Sequence, residues 1–167
     1  MVSIRPHLWY HEKALEAAEF YASLLPDSRV DKVHAAPPGV SPEGTSQIPE
    51  GAPFFVEFTL VGMPVAAIAA GPDLTLTDAF SFLLEVDTQD EVDHYWAALT
   101  ADGGAEGPCG WCRDRFGLSW QVVPRGTNEL TMGADEASTR ARNAMFQMTK
   151  LDLPALQAAY DGTAASV

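Results

Sequence analysis

The stretch from Cys109 to Pro124, CGWCRDRFGLSWQVVP, limits the possible folds more than any other part of the chain. Its Asp114-x-x-Gly117 turn separates two aromatic-rich runs, the pattern of a tight hairpin closing a sheet. The second strand puts Ser119, Gln121 and Val123 on one face and Trp120 and Val122 on the other, because successive side chains alternate across a strand. A polar Gln amid such bulk predicts one face toward a pocket and one toward packed helices.

Upstream, the same grammar occurs twice. Residues 4–10 read as a strand, and Ala14, Leu15, Ala18, Phe20, Tyr21, Leu24 and Leu25 recur at helical spacing over 12–25. Pro26-Asp27-Ser28 ends that helix, and strands follow over 29–35, 54–60 and 64–70. The strand over 54–60 alternates with Phe54, Val56, Phe58 and Leu60 on one face, and Val61-Gly62 turns the chain into the strand over 64–70. Residues 36–53, rich in Pro, Gly and Ser, read as a flexible loop. The cycle restarts with a strand over 80–86 and a helix over 89–101, whose stripe is Val92, Tyr95, Trp96 and Leu99. Gly103-Gly104 stops that helix before the hairpin. The chain thus reads as an α+β protein of two β-α-β-β-β halves, 1–73 and 74–126. A C-terminal extension, 127–167, carries one helix over 134–148, a short helix capped by Asp152, and a frayed tail from Asp161.

Charge and cysteine content narrow the function. Ten Lys and Arg against 23 Asp and Glu give a formal net charge of −13, and such a polyanion repels phosphate backbones and anionic membranes. No apolar run is long enough to span a bilayer and no signal peptide precedes the first strand, so a cytoplasmic location is expected. Cys109 and Cys112 are three apart on or beside a strand and point to opposite faces. That makes a bridge between them strained, and further ligands for zinc are not visible at matching spacing. Two reduced thiols are expected.

Among ionisable groups, Asp114 suits an Asx-type turn role, and Asp87, Asp90, Glu91 and Asp93 mark a solvated helix start. Glu57 and Glu85 lie within apolar strands; burial would raise their pKa toward proton-transfer chemistry, whereas a mouth position would leave them wet. His11, His34 and His94 fall on a loop, a flap edge and an acidic helix, and no two histidines have ligand spacing.

The runs Pro6–Tyr10, Ala17–Ser28, Glu91-Val92-Asp93 and Cys109–Pro124 resemble the PhnB-like branch of the vicinal oxygen chelate (glyoxalase, bleomycin-resistance and dioxygenase) superfamily, over about residues 3–160. The resemblance implies paired βαβββ modules whose mixed sheets curl around a cavity with helices outside. It also implies a homodimer that completes its clefts by pairing. Metal-dependent members of the superfamily use a divalent ion as a Lewis acid. Here the acidic ligand position after the turn falls on Gln121, the opening-strand position near Arg5 to His7, and the second-half position on Ser81 or Asp78. So depleted a donor set implies neither an obligatory metal nor another cofactor.

The expectation is therefore a protein that binds a small molecule in a dimer-associated sheet cavity, with His7, Trp9, Phe58, Ser81, Trp111, Ser119 and Gln121 as pocket residues. Both faces of the first strand look apolar, so the pattern leaves the facing of His7 and Trp9 open. The alternative is a metal-dependent lyase, isomerase or dioxygenase-like enzyme, its site assembled from Gln121, His7 and Glu57 or Glu85. Some relatives carry a demethylubiquinone methyltransferase label. A nucleotide-like methyl donor calls for a glycine-rich strand-to-helix turn, and no G-x-G-x-x-G pattern occurs.

Overall fold

A computed structural model describes residues 2–40, 48–71 and 74–163. Residues 41–47 of the expected flexible loop, and 164–167 of the expected tail, lie outside the described residues. The chain forms two compact units, Met1–Thr75 and Leu76–Val167.

The first unit runs β1 (His7–Tyr10), α1 (Ala14–Leu24), β2 (Arg29–Ala35), β3 (Pro53–Leu60) and β4 (Met63–Ala69). Its sheet has the order β1-β4-β3-β2, with β1 parallel to β4 and the other pairs antiparallel. The helix between β1 and β2 is what lets β1 return beside β4 in the parallel sense. Ala14, Ala17, Ala18 and Tyr21 form the buried face of α1, and the three alanines allow it to lie close on the sheet. Below them Val56, Phe58, Val65 and Ala67 are buried, at most 1 % exposed. The Tyr10 and Tyr21 hydroxyls meet at 3.0 Å inside this layer and satisfy each other.

Beyond β2 the chain passes through Ala36, whose N–H donates to Ala52 O and whose carbonyl accepts from Gly51 N–H. The two ends of the Pro- and Gly-rich segment are thereby tied together.

The second unit repeats the plan as β5 (Ser81–Val86), α2 (Gln89–Thr100), β6 (Ala105–Glu106), β7 (Trp111–Arg113) and β8 (Ser119–Pro124), in the order β5-β8-β7-β6. Thr88 and Glu91 make a capping box that starts α2, and Val92, Trp96 and Leu99 are buried from it. Tyr95, expected in that stripe, is only half-buried. Asp114 organises the β7–β8 turn: one carboxylate oxygen accepts from Phe116 N and Leu118 N (2.8 and 3.1 Å), and the other from Trp120 Nε1 (2.8 Å).

The C-terminal segment departs from expectation in one respect. A helix not expected, α3 (Thr127–Thr131), precedes α4 (Glu136–Met145), which falls within the helix expected over 134–148, and α5 (Leu153–Asp161), the expected short helix. The Asp135 side chain caps α4 and Asp152 caps α5. This extension packs within the second unit. Cys109 N–H and Gly110 N–H donate to Met148 O and Thr149 O (2.8 and 2.7 Å), which fixes the backbone just before Trp111. Gly110 has φ +83°, and a Cβ there would stand 2.9 Å from Val122 O, so only glycine fits. Among the described residues, no helix is long and apolar enough to cross a membrane.

Candidate functional site

Each sheet has one face under its helix and one face free of it. Strand parity decides which side chains reach the helix-free face. On β1, Leu8 and Tyr10 are buried and His7 and Trp9 are exposed, which resolves the facing the sequence left open. The pairing His7↔Ala66↔Glu57↔Lys32 then defines one transverse row on this face, and Trp9↔Ile68↔Phe55↔His34 the next. Phe58 is not part of it. At 1 % exposure it points to the α1 side with Val56, and its place among the expected pocket residues is corrected: alternation that exposes Glu57 must bury its neighbour.

The helix-free face of the first unit carries a connected polar cluster. Arg5 Nη1 donates to Glu57 Oε2 at 3.0 Å, and His34 Nε2 lies 2.8 Å from Glu57 Oε1. Because an ionised carboxylate only accepts, His34 donates through Nε2. The rings of His7 and His34 approach Phe55 edge-on, with centroids 5.5 and 5.6 Å away. Hydrogen bonds from Arg5 first, and then from His34, hold the Glu57 carboxyl below its usual range. The raised pKa that burial would have produced is therefore not what this carboxylate has. Glu85 is exposed. Trp9 donates its indole N–H to Ala70 O (2.9 Å), leaving its ring for contact.

In the second unit, the helix-free face brings together Ser81, Trp111, Ser119 and Gln121. The register is Ser81↔Ser119 and Leu83↔Gln121 on one side, and Trp111↔Gln121 on the other. Gln121 Nε2 donates to Ser81 Oγ (2.9 Å). Ser119 is almost fully buried and donates to Asp78 Oδ1 (2.6 Å), which also accepts from Arg113 Nη2 (3.1 Å). Those two bonds, the Ser119 one first, hold the Asp78 carboxyl below its usual range. Leu83 is 54 % exposed and Trp111 half-buried, so apolar surface flanks the Gln121 amide. Beside it a cleft of ≈ 540 Å³ opens between Asp78, Pro108, Trp111 and Arg113.

The remaining candidates resolve plainly. Cys109 and Cys112 are free thiols, and Cys112 faces α2, where burial first, then Asp114 and Glu106, push its pKa up to about 12. A thiol in that state is a packing residue. The residues present do not fit a resident divalent cation. No group of three or more His, Cys, Asp or Glu that could hold one occurs among the described residues, and the expected acidic ligand is Gln121, its amide nitrogen engaged with Ser81. Sequence reasoning missed the His34–Glu57–Arg5 chain, because the partners are joined by strand register and not by spacing.

Comparison with known proteins agrees with this architecture. The family profile described as 3-demethylubiquinone-9 3-methyltransferase matches residues 2–123. A solved structure described as a putative 3-demethylubiquinone-9 3-methyltransferase, PhnB protein, from Bacillus cereus is 27 % identical, with TM-score 0.62 over 74 % of this chain and 99 % of that one. Protein PA1353 from Pseudomonas aeruginosa shares the fold at 22 % identity and TM-score 0.54, covering 74 % of this chain and 98 % of its own. No curated protein matches the chain. With the profile running through both βαβββ units and into β8, the chain belongs to the 3-demethylubiquinone-9 3-methyltransferase family, which the PhnB-like runs of its sequence resemble.

Proposed function

We propose that this protein binds a small molecule on the helix-free faces of its sheets, as a homodimer and without an obligatory metal. One observation carries the proposal. Gln121 and Ser81 are hydrogen-bonded to each other at 2.9 Å on a face where Trp111 and Leu83 leave apolar surface uncovered. Apolar surface with a few oriented polar groups is the composition of a ligand site and not of an ordinary solvated sheet face. The Gln121 amide offers a donor and an acceptor to a neutral polar ligand, and the Trp111 ring offers a flat wall. Methyl transfer, named in the family's description, is left out of the proposal because the sequence holds no glycine-rich turn for a nucleotide-like donor.

The test joins elemental mass spectrometry of protein purified without chelator to a thermal-shift screen of small metabolites, run with and without EDTA. The proposal expects less than one metal per chain, chelator-insensitive hits, and loss of those hits in Gln121→Ala and Trp111→Ala. Stoichiometric metal whose removal abolishes binding would instead favour the metal-dependent lyase, isomerase or dioxygenase-like alternative. Sedimentation of the same protein as a monomer would remove the homodimer from the proposal.

A further inference from the structure

The helix-free face of the first unit has a charge opposite to that of the protein. Of ten Lys and Arg, Arg5, Arg29 and Lys32 reach this face, and so do two of the four histidines, His7 and His34. The acids among them are Glu57 and Asp31, and each is already held. Glu57 accepts from Arg5 and His34, while Asp31 accepts from Arg29 Nε (2.7 Å) and Thr59 Oγ1 (2.6 Å). His7 and Lys32 make no hydrogen bond or ion pair with another described residue, and Arg5 bonds Glu57 through Nη1, leaving further N–H groups of its guanidinium.

The geometry is concentrated. Ala66 lies on β4 between His7 and Glu57 and is too small to separate them, so the β1 side chains lean across it. His7 reaches Phe55 on β3, and Arg5 reaches both Glu57 and the Phe55 ring, its guanidinium carbon 5.9 Å from the centroid. Ala66 is only 2 % exposed in consequence. Three N–H-bearing groups thus surround one aromatic ring, with Trp9 in the same row as Phe55. The carboxylate excess elsewhere does not cancel this field, since at physiological salt charges beyond about 8 Å are largely screened.

We propose that this face binds the oxyanion of a small aromatic or apolar acid, its carboxylate or phosphoryl group taken by Arg5 and His7 and its apolar body resting on Phe55 and Trp9. The inference rests on the small-molecule proposal above and assigns a ligand class to the first unit. Glu57 sets the selectivity. By holding Arg5 and His34 in place it orients the donors, and its own charge, already met by those two groups, leaves the remaining N–H groups of Arg5 and His7 to take a single oxyanion.

Benzoate, phenyl phosphate and benzyl alcohol, titrated against the full chain with chemical-shift mapping, provide the test. One or both anions are expected to shift Arg5, His7, Phe55 and Trp9 resonances, with benzyl alcohol at least about tenfold weaker. Binding of benzoate alone identifies carboxylates as the source, and of phenyl phosphate alone phosphoryl groups. His7→Gln, an exposed change that breaks no hydrogen bond to a described residue, is expected to weaken the anion about three- to tenfold. Arg5→Gln is expected to weaken it at least as much, and Arg125→Gln, in the second unit, not at all. Equal binding of benzyl alcohol, wild-type affinity in His7→Gln, or no anion shift up to about 10 mM would overturn the inference. If neutral ligands from the thermal-shift screen still bind and depend on Gln121, the small-molecule proposal survives that result; if neither class binds, both fall.

Discussion

Asp114→Ala is expected to be the most destabilising single change in the β7–β8 hairpin, and its size can be worked out from the bonds it removes. Asp114 is 2 % exposed and accepts from Phe116 N, Leu118 N and Trp120 Nε1. Phe116 is half-buried, so water can replace its partner at little cost. Leu118 and Trp120 are 1 % and 2 % exposed, so their donors would be left unpaired. A stranded buried donor costs roughly 1–3 kcal/mol, and a small cavity adds to two of them, giving about 3–5 kcal/mol in all. With a urea slope of about 2 kcal/mol/M, the midpoint should fall by about 1.5–2.5 M at constant slope. Far-UV circular dichroism is the right readout, because tryptophan fluorescence would report on Trp120 itself. Asp114→Asn keeps the shape but turns an amide N–H₂ toward one of the donors, so it should lose about 1–3 kcal/mol. Combining Asp114→Ala with Trp120→Phe removes donor and acceptor together, and a coupling of about 1–2 kcal/mol is expected. A loss under about 1 kcal/mol in Asp114→Ala would refute the reasoning, since it would mean that the buried donors find other partners.

Three further outcomes are expected. Val61 and Gly62 form the β3–β4 turn with φ 47° and 79°, and a β-branched residue is strained in that region, so Val61→Asn should raise Tm by about 2–4 °C in calorimetry; an unchanged or lower Tm would count against it. The Cys112 thiol, with its pKa pushed up to about 12, should resist Ellman's reagent at pH 8 until the chain unfolds, and rapid labelling of Cys112 in the native protein would contradict its placement. Glu57, Asp78, Glu91, Asp93 and Asp135 all have carboxyls held below their ordinary values by hydrogen bonds. A carboxyl whose pKa is lower folded than unfolded favours the native state above its unfolded value and loses that contribution as pH falls through the folded one. The urea midpoint should therefore drop from about pH 5 downward, and a flat profile between pH 6 and 3 would exclude these bonds as stabilising.

The secondary structure was legible where one local rule governs it, and illegible where pairing does. Period-2 alternation in β3 put Val56 and Phe58 on one face, and the acidic run of Asp87, Asp90, Glu91 and Asp93 marked the start of α2. The helix α3 was invisible because it has five residues and its buried positions are threonines. Thr127 and Thr131 donate to Pro124 O and Thr127 O at 2.7 Å, so they satisfy themselves locally without apolar periodicity. Phe58 was assigned to a pocket because period 2 separates the two faces of β3 without saying which one lies under α1. The candidate site follows the same division. Gln121 and Ser119 on β8, and Trp111 across the turn, could be placed from the hairpin alone. The basic face of the first unit could not, because Arg5, His7, Arg29, Lys32 and His34 look scattered along the chain. Two facts gather them: β1 lies parallel beside β4, and an irregularity between Val30 and Lys32 resets the β2–β3 register so that Lys32 and His34 face the same way as Glu57. Were Asp31 instead in regular alternation, with no irregularity, Lys32 and His34 would turn to the α1 side with Val30, and Glu57 would lose His34. A single-residue deletion at Asp31 therefore tests the arrangement: Lys32 would then follow Val30 directly and still face as Glu57 does, so the His34–Glu57 contact should survive with β3 and β4 intact, and its loss from the histidine chemical shifts would refute the reading.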